Sequence, residues 1–171
     1  MNSRRLCLTL VVLMAAAALP FTAVPSFHPA AIAGTASPDY SPPPGALNPN
    51  VTQSNIGSTI CVRGWTRTVR PPVQYTSNLK RQQMLERHLP GRPSDYEEDH
   101  YVPLEIGGHP TDPHNLWPQP RWGQQAAFKD ELENALNRAV CGRAITLSAA
   151  QHCLLDQPWE ACAHRMHTPV P

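Results

Sequence analysis

The chain has no excess of positive charge. Its 14 Lys and Arg stand against 13 Asp and Glu, a formal +1 over 171 residues. That balance gives no global case for a basic nucleic-acid-binding surface. No Cys-x-x-Cys pair occurs among the five cysteines, which argues against a structural zinc site. No His-Glu-x-x-His occurs either, which argues against a zinc hydrolase acting on peptides or cell wall. There are no internal repeats. A single long apolar run, residues 6–18, is too short to span a bilayer comfortably, and no second one follows.

What is present begins with MNSRR ahead of that apolar run, a basic n-region followed by an h-region. Ala31-Ile32-Ala33 offers a small-x-small cleavage site before Gly34, so residues 1–33 are expected to be a signal peptide. Cys7 opens the apolar run instead of closing it, which argues against a lipoprotein anchor. The expected product is secreted or periplasmic, monomeric, without a membrane segment once the signal is removed, and large enough for one domain with a real core. Loss of Arg4 and Arg5 leaves 12 basic against 13 acidic residues.

Four cysteines then remain, Cys61, Cys141, Cys153 and Cys162, and an even count in an exported chain reads as two disulfides. Three connectivities are open. The favoured one joins Cys61 to Cys141 and Cys153 to Cys162. Closing about 80 residues contributes roughly 4.5 kcal/mol in the chain-entropy model, and closing about 10 contributes roughly 2.7 kcal/mol.

Residues 34–50, GTASPDYSPPPGALNPN, carry no apolar period and read as a disordered linker ahead of a domain over 51–167. Residues 58–70 read as a β-hairpin turning at Gly64 and stopped by Pro71-Pro72. A helix is expected over 77–89, with Ser77 as its cap and Pro90-Gly91 as its stop. The best helical pattern covers 124–140, with Phe128, Leu132, Ala135, Leu136, Ala139 and Val140 on one face and Gln125, Lys129 and Glu133 stacked on another. Gly142 is placed to end it. Ser148 with Gln151 reads as a capping box for a further helix over about 149–156, and a last helical turn or two follows Pro158.

Charge is unevenly spread along the chain. Residues 61–92 carry Arg63, Arg67, Arg70, Lys80, Arg81, Arg87 and Arg92 against Glu86 alone; residues 93–115 carry Asp95, Glu97, Glu98, Asp99, Glu105 and Asp112 and no Lys or Arg. A basic segment feeding an acidic one suits an enzyme that holds a polyanion beside a metal, and the plainer reading is charge pairing within the fold. The stretch EEDHYVPLEIGGHPTDPHNLWPQP, residues 97–120, lies across that junction. It reads as a strand over 96–104 presenting Asp99 and His100, a Gly107-Gly108 turn, and a returning strand at 115–117, with the long helix next. His100, with an ordinary pKa of about 6.5, can be a neutral base near neutral pH. Neighbours on a regular strand face opposite ways, so the strand end must bend if Asp99 and His100 are to serve one site. His109, His114, His152, His164 and His167 read as solvated, Glu97 and Glu98 as strand-end charges, and Trp117 and Trp159 as core anchors.

Asp99-His100-Tyr101-Val102-Pro103-Leu104, Gly107-Gly108 and Asn115-Leu116, followed by a helix, resemble the HNH or His-Me finger nucleases. The flanks, TICVRGWTRTVRPPV before and KDELENALNRAVCG with TLSAAQ after, are similar to a group of small exported bacterial proteins carrying that core. The resemblance implies an α+β fold with a small ββα-metal core, disulfide-stapled, and a metal-dependent endonuclease hydrolysing phosphodiester bonds, DNA ahead of RNA. It implies Asp99 as a metal ligand, His100 as the base and Asn115 as the residue that ties the loop and orients the base. A second ligand is expected on the helix, where Gln125 supplies an amide oxygen in place of the usual Asn or His, with Asp130 as a fallback. The expected ion is divalent, Mg²⁺ first, with Mn²⁺ or Zn²⁺ as alternatives. Lys129 and Arg121 are the candidate phosphate contacts. The competing reading is a non-catalytic exported module that keeps the ββα core as a scaffold for binding.

Overall fold

The computed structural model describes residues 36–169, so the signal-peptide reading of residues 1–33 lies outside the described residues. The architecture is α+β, with five α-helices and one small antiparallel sheet among the described residues. Helix α1 spans Trp65–Val69 and α2 Val73–Glu86. Strands β1, Tyr96–His100, and β2, Leu116–Pro120, form the sheet. Helices α3, Gln125–Cys141, α4, Leu147–Leu155, and α5, Trp159–Arg165, complete the order.

The strands pair in register from Tyr96 with Pro120 to His100 with Leu116. β2 runs on through Pro118 to Pro120, beyond the expected strand at 115–117. The two prolines occupy alternate positions, so their missing N–H groups all point to one edge. The ladder needs only the intervening Trp117 and Gln119, opposite Asp99 and Glu97. β1 is shorter than expected because the chain turns inward after His100. Tyr101, Val102 and Leu104 are buried there, and a 3₁₀ turn forms at Leu104–Ile106.

Helix α3 lies on the face of the ribbon that carries Asp99, reaching it through Lys129. Helix α2 is tied to the ribbon by Lys80, which donates to the Tyr96 carbonyl, and Gln83, which donates to that of Leu116. Leu132, Leu136 and Val140 of α3 meet Val102, Ile106, Leu147, Ala150, Leu154, Trp159 and Ala163 in one apolar core. Trp117 and Trp159 are 5% exposed, as expected of core anchors. Both favoured disulfides are present, with Cα atoms 5.5 Å apart at Cys61–Cys141 and 5.3 Å at Cys153–Cys162. The longer one pins the segment before α1 to the last residue of α3. Two disulfides fit an oxidising compartment. Among the described residues no helix is long and apolar enough to cross a membrane.

Four local expectations need correction. Residues 58–70 form no hairpin. A chain of tight turns (Cys61 N–H to Ile56, Val62 to Thr59, Trp65 to Val62) leads into α1, and Gly64, at φ 85°, starts that helix instead of turning a strand. The Val and Thr content suggested a strand, but no partner strand lies beside it. Helix α2 starts at Val73, ahead of Ser77, because Pro72 can precede a helix without losing a hydrogen bond. It ends at Glu86, and His88 just beyond adopts φ 54° and lets Leu89 N–H reach the Met84 carbonyl. The cap of α4 is Thr146, whose hydroxyl accepts from Ala149 N–H; Gln151 is buried and donates to the Ile106 carbonyl. Finally, residues 39–48 are not a free linker. Asp39 N–H bonds Arg87, Gly45 N–H bonds His114, and Leu47 bridges Gly108. The polar, proline-rich composition hid these backbone contacts, which use no apolar side-chain pattern.

Candidate active site

His100 ends β1 and is 3% exposed. Its Nε2 lies 3.0 Å from the Pro110 carbonyl oxygen. A carbonyl can only accept, so Nε2 carries the hydrogen and Nδ1 is the basic nitrogen of the neutral ring. Nδ1 has no hydrogen-bond partner among the described residues, in a ring that is almost wholly buried. Burial lowers the pKa of the ring. The Pro110 bond and Asp99 oppose that, and the charges of Arg70 and Lys129 add to it. The group is therefore a neutral base near neutral pH.

Asn115 is fully buried and uses its whole amide. Its Oδ1 accepts from Val102 N–H at 2.9 Å and Ala46 N–H at 3.3 Å. Its Nδ2 donates to the Val102 and His109 carbonyls, each at 3.0 Å. The amide thus clamps residue 109, next to the Pro110 carbonyl that holds His100. None of the four side-chain hydrogen bonds of Asn115 goes to His100. Gly108 must be glycine here, since a Cβ would lie 1.8 Å from the Val102 carbonyl oxygen. His109 closes the same turn, its Nδ1 accepting from Thr111 and Asp112 N–H, a role its reading as a solvated residue did not include. His114 is exposed and pairs with Asp112.

Asp99 does not reach the helix through Gln125. Its Oδ2 lies 2.7 Å from Lys129 Nζ. Lys129 also donates to the His100 carbonyl at 2.8 Å and to Glu133 Oε1. These three acceptors use all three ammonium protons. Lys129 is 1% exposed, so it is not available as a phosphate contact. Burial works against its charge, yet Asp99 and Glu133 more than reverse this and hold its pKa above the ordinary lysine range. The helical spacing of Lys129 and Glu133 made their pair legible; nothing in the sequence disclosed that Asp99 would join it.

Gln125 is exposed at the start of α3 and lines a recess with Tyr101, Trp117 and Trp159. Arg121 pairs with Glu97 at 3.2 Å. It follows Pro120, the partner of Tyr96, and so stands at the end of the ribbon away from His100. Asp130 stays on the α3 surface, its carboxyl pushed up by burial and by Asp99. Among the described residues no group of three His, Cys, Asp or Glu side chains converges as a metal centre. The expected ligand pair of Asp99 and Gln125 does not fit a divalent ion well: one Asp99 oxygen is taken by an ammonium, and among the described residues Asp99 belongs to no convergent group of three acidic, His or Cys side chains.

Two acids went unremarked or misread in the sequence. Glu105 is half-buried and raised by burial and by Asp130, with Arg70 and Arg138 acting the other way. Arg70 is exposed and makes no ion pair among the described residues. Glu98, read as a strand-end charge, is half-buried with both carboxyl oxygens enclosed and unpartnered. Burial pushes it up to about 8, Lys80 and Arg87 pulling against this and Asp99 adding to it.

Glu98 has a consequence for stability. Its ordinary pKa is 4.5 and its folded value about 8, so the folded state binds the proton more tightly. The associated stability is complete below the unfolded value and is lost as pH rises through the folded one. Glu98→Gln removes that loss. It is expected to raise stability at pH 8 by about 1–3 kcal/mol, discounted for partial exposure, and to flatten the decline between about pH 4.5 and 8. Urea unfolding of both proteins across that range checks it; an equal slope in the variant would refute it.

Comparison of the chain with family models, with curated proteins and with solved structures returns no match.

Proposed function

We propose that the chain is an exported hydrolase of nucleic-acid phosphodiester bonds, DNA ahead of RNA, built on a ββα core of the His-Me finger type with His100 as general base. The observation that carries this reading is the clamp on His100: Nε2 held by a loop carbonyl, Nδ1 left without a hydrogen-bond partner among the described residues, and a ring whose pKa burial lowers. A water against Nδ1 gives its proton to the ring as its oxygen attacks phosphorus and the bond to the leaving oxygen breaks. The imidazolium so formed has the Asp99 charge beside it. Arg70, whose charge bears on His100 and which has no ion-pair partner among the described residues, is the cation available to the phosphate. Asn115 acts only by holding the loop. No step is assigned to a divalent ion, because the residues expected to hold one do not form a fitting set.

A second reading, a non-catalytic binding module on the same core, is favoured by one observation: Asp99 is committed to a buried lysine. Incubation of the purified protein with supercoiled plasmid and with RNA, in Mg²⁺, Mn²⁺, Zn²⁺ or EDTA, separates the two. Nicking that co-purifies with the protein is expected. Intact substrates in every condition would move the assignment to the binding module.

A further inference from the structure

The surroundings of Lys129 supply what a hard cation asks of a protein: two carboxylates, Asp99 and Glu133, and one backbone carbonyl, that of His100. They come from both β1 and α3, and the three side chains are 22%, 15% and 1% exposed for Asp99, Glu133 and Lys129. The centre of that donor set is filled by the ammonium of the chain itself. We propose that Lys129 is the resident cation of this core, holding the place beside Asp99 expected of a divalent ion, so that Asp99 is not a metal ligand in this protein.

The argument is one of donors and charge. Mg²⁺ demands near-octahedral oxygen coordination at about 2.1 Å and gives up its waters reluctantly. To use Asp99 it would have to sit beside an ammonium already 2.7 Å from that carboxylate, or displace it. The first option sets like charges together where water screens them poorly. The second strands a buried ammonium without its partners, which is strongly unfavourable. Lysine at this point of α3 thus closes the site: its stem spans from the helix to the strand end, and its three protons match three acceptors. The inference stands on this geometry whether or not His100 is a base.

The test is calorimetric titration of the full protein with Mn²⁺ alone, without nucleic acid. Asp99→Asn is expected to leave any Mn²⁺ affinity within about twofold of wild type, because Asp99 holds no ion. Lys129→Met, which frees both carboxylates and the carbonyl, is expected to gain Mn²⁺ affinity by about tenfold or more. A tenfold weaker affinity in Asp99→Asn overturns the proposal, as does a folded Lys129→Met with no gain. Should Lys129→Met fail to fold, the Asp99→Asn titration decides alone. The outcome is independent of cleavage: an inactive wild type leaves the titration readable, and an Asp99-dependent ion in an active enzyme removes the resident-cation proposal while leaving His100 in its role.

Discussion

His100→Ala should lower plasmid nicking by about 10²- to 10⁴-fold, the scale of a lost general base, while the protein stays folded. The ring is 3% exposed, but it sits at a strand end and makes one hydrogen bond, to Pro110. Removing it leaves that carbonyl unpaired and a small void, a cost of about 1–3 kcal/mol. The main-chain contact to Lys129 survives, since it uses the His100 carbonyl and not the ring. Rate and fold should therefore separate: circular dichroism near wild type, nicking nearly gone. His114→Ala is the appropriate control, being exposed and paired only with Asp112, and should stay within a few-fold of wild type. His109→Ala is not a neutral control, because its Nδ1 closes the turn beside Pro110.

The pH profile adds a second check on the same residue. A base is active when unprotonated, and burial lowers the pKa of His100. The wild-type rate should then climb with pH through a value below about 6.5 and level off by neutrality. A profile still rising steeply above pH 8 would point to another base. Glu98, near about 8, belongs to the stability curve, so rates need to be taken where the fold is intact at both ends of the range.

The parts legible in the sequence were those with a local or combinatorial signature. The order of strand, Gly-Gly loop, strand and helix followed from turn residues and one strong helical period. The even cysteine count announced two disulfides and left three pairings open, of which the favoured one is present, and α3 followed from its apolar face. The parts that were not legible depend on partners far apart in the chain. Residues 39–48 are held by backbone bonds to positions 87, 107, 109 and 114, which composition cannot announce. Gly64 serves a hairpin and a helix start equally well, and only the missing strand partner decides between them. Lys129 looked like an exposed helical cation because the pattern of α3 places it off the apolar stripe. What buries it is the strand end folding over it with Asp99. The His100 surroundings were half-visible: Asn115 was expected to tie the loop, as its bonds to Val102 and His109 do, but the Pro110 carbonyl against His100 required the loop in three dimensions.

Asn115 is where the fold and the proposed chemistry depend on one side chain, and Asn115→Ala should be the most destabilising single change among the residues discussed. Four hydrogen bonds end on this amide, which is 0% exposed. Truncation leaves the Val102 N–H without its partner in the core, together with the Val102 and His109 carbonyls, and Gly108 stands too close to Val102 for the loop to collapse inward. Each buried group left unpaired costs about 1–3 kcal/mol, so a total of about 3–5 kcal/mol is expected after partial relaxation and entry of water. Asn115→Asp distinguishes the two halves of the amide. It keeps the acceptor for Val102 and Ala46 but sets a carboxyl oxygen against the Val102 and His109 carbonyls. At neutral pH the charged form repels both, so the variant should be about as unstable as Ala. At pH 4 the carboxyl can take a proton and donate to one of them, and part of the loss should return. The measurement is the urea midpoint of wild type, Asn115→Ala and Asn115→Asp at pH 7 and pH 4, with nicking at pH 7 under conditions where each remains folded. If Asn115→Ala unfolds at the wild-type midpoint, the amide does not hold the loop. If it is destabilised yet nicks at the wild-type rate while folded, the Pro110 carbonyl does not need Asn115 to orient His100, and the link from amide to base is broken.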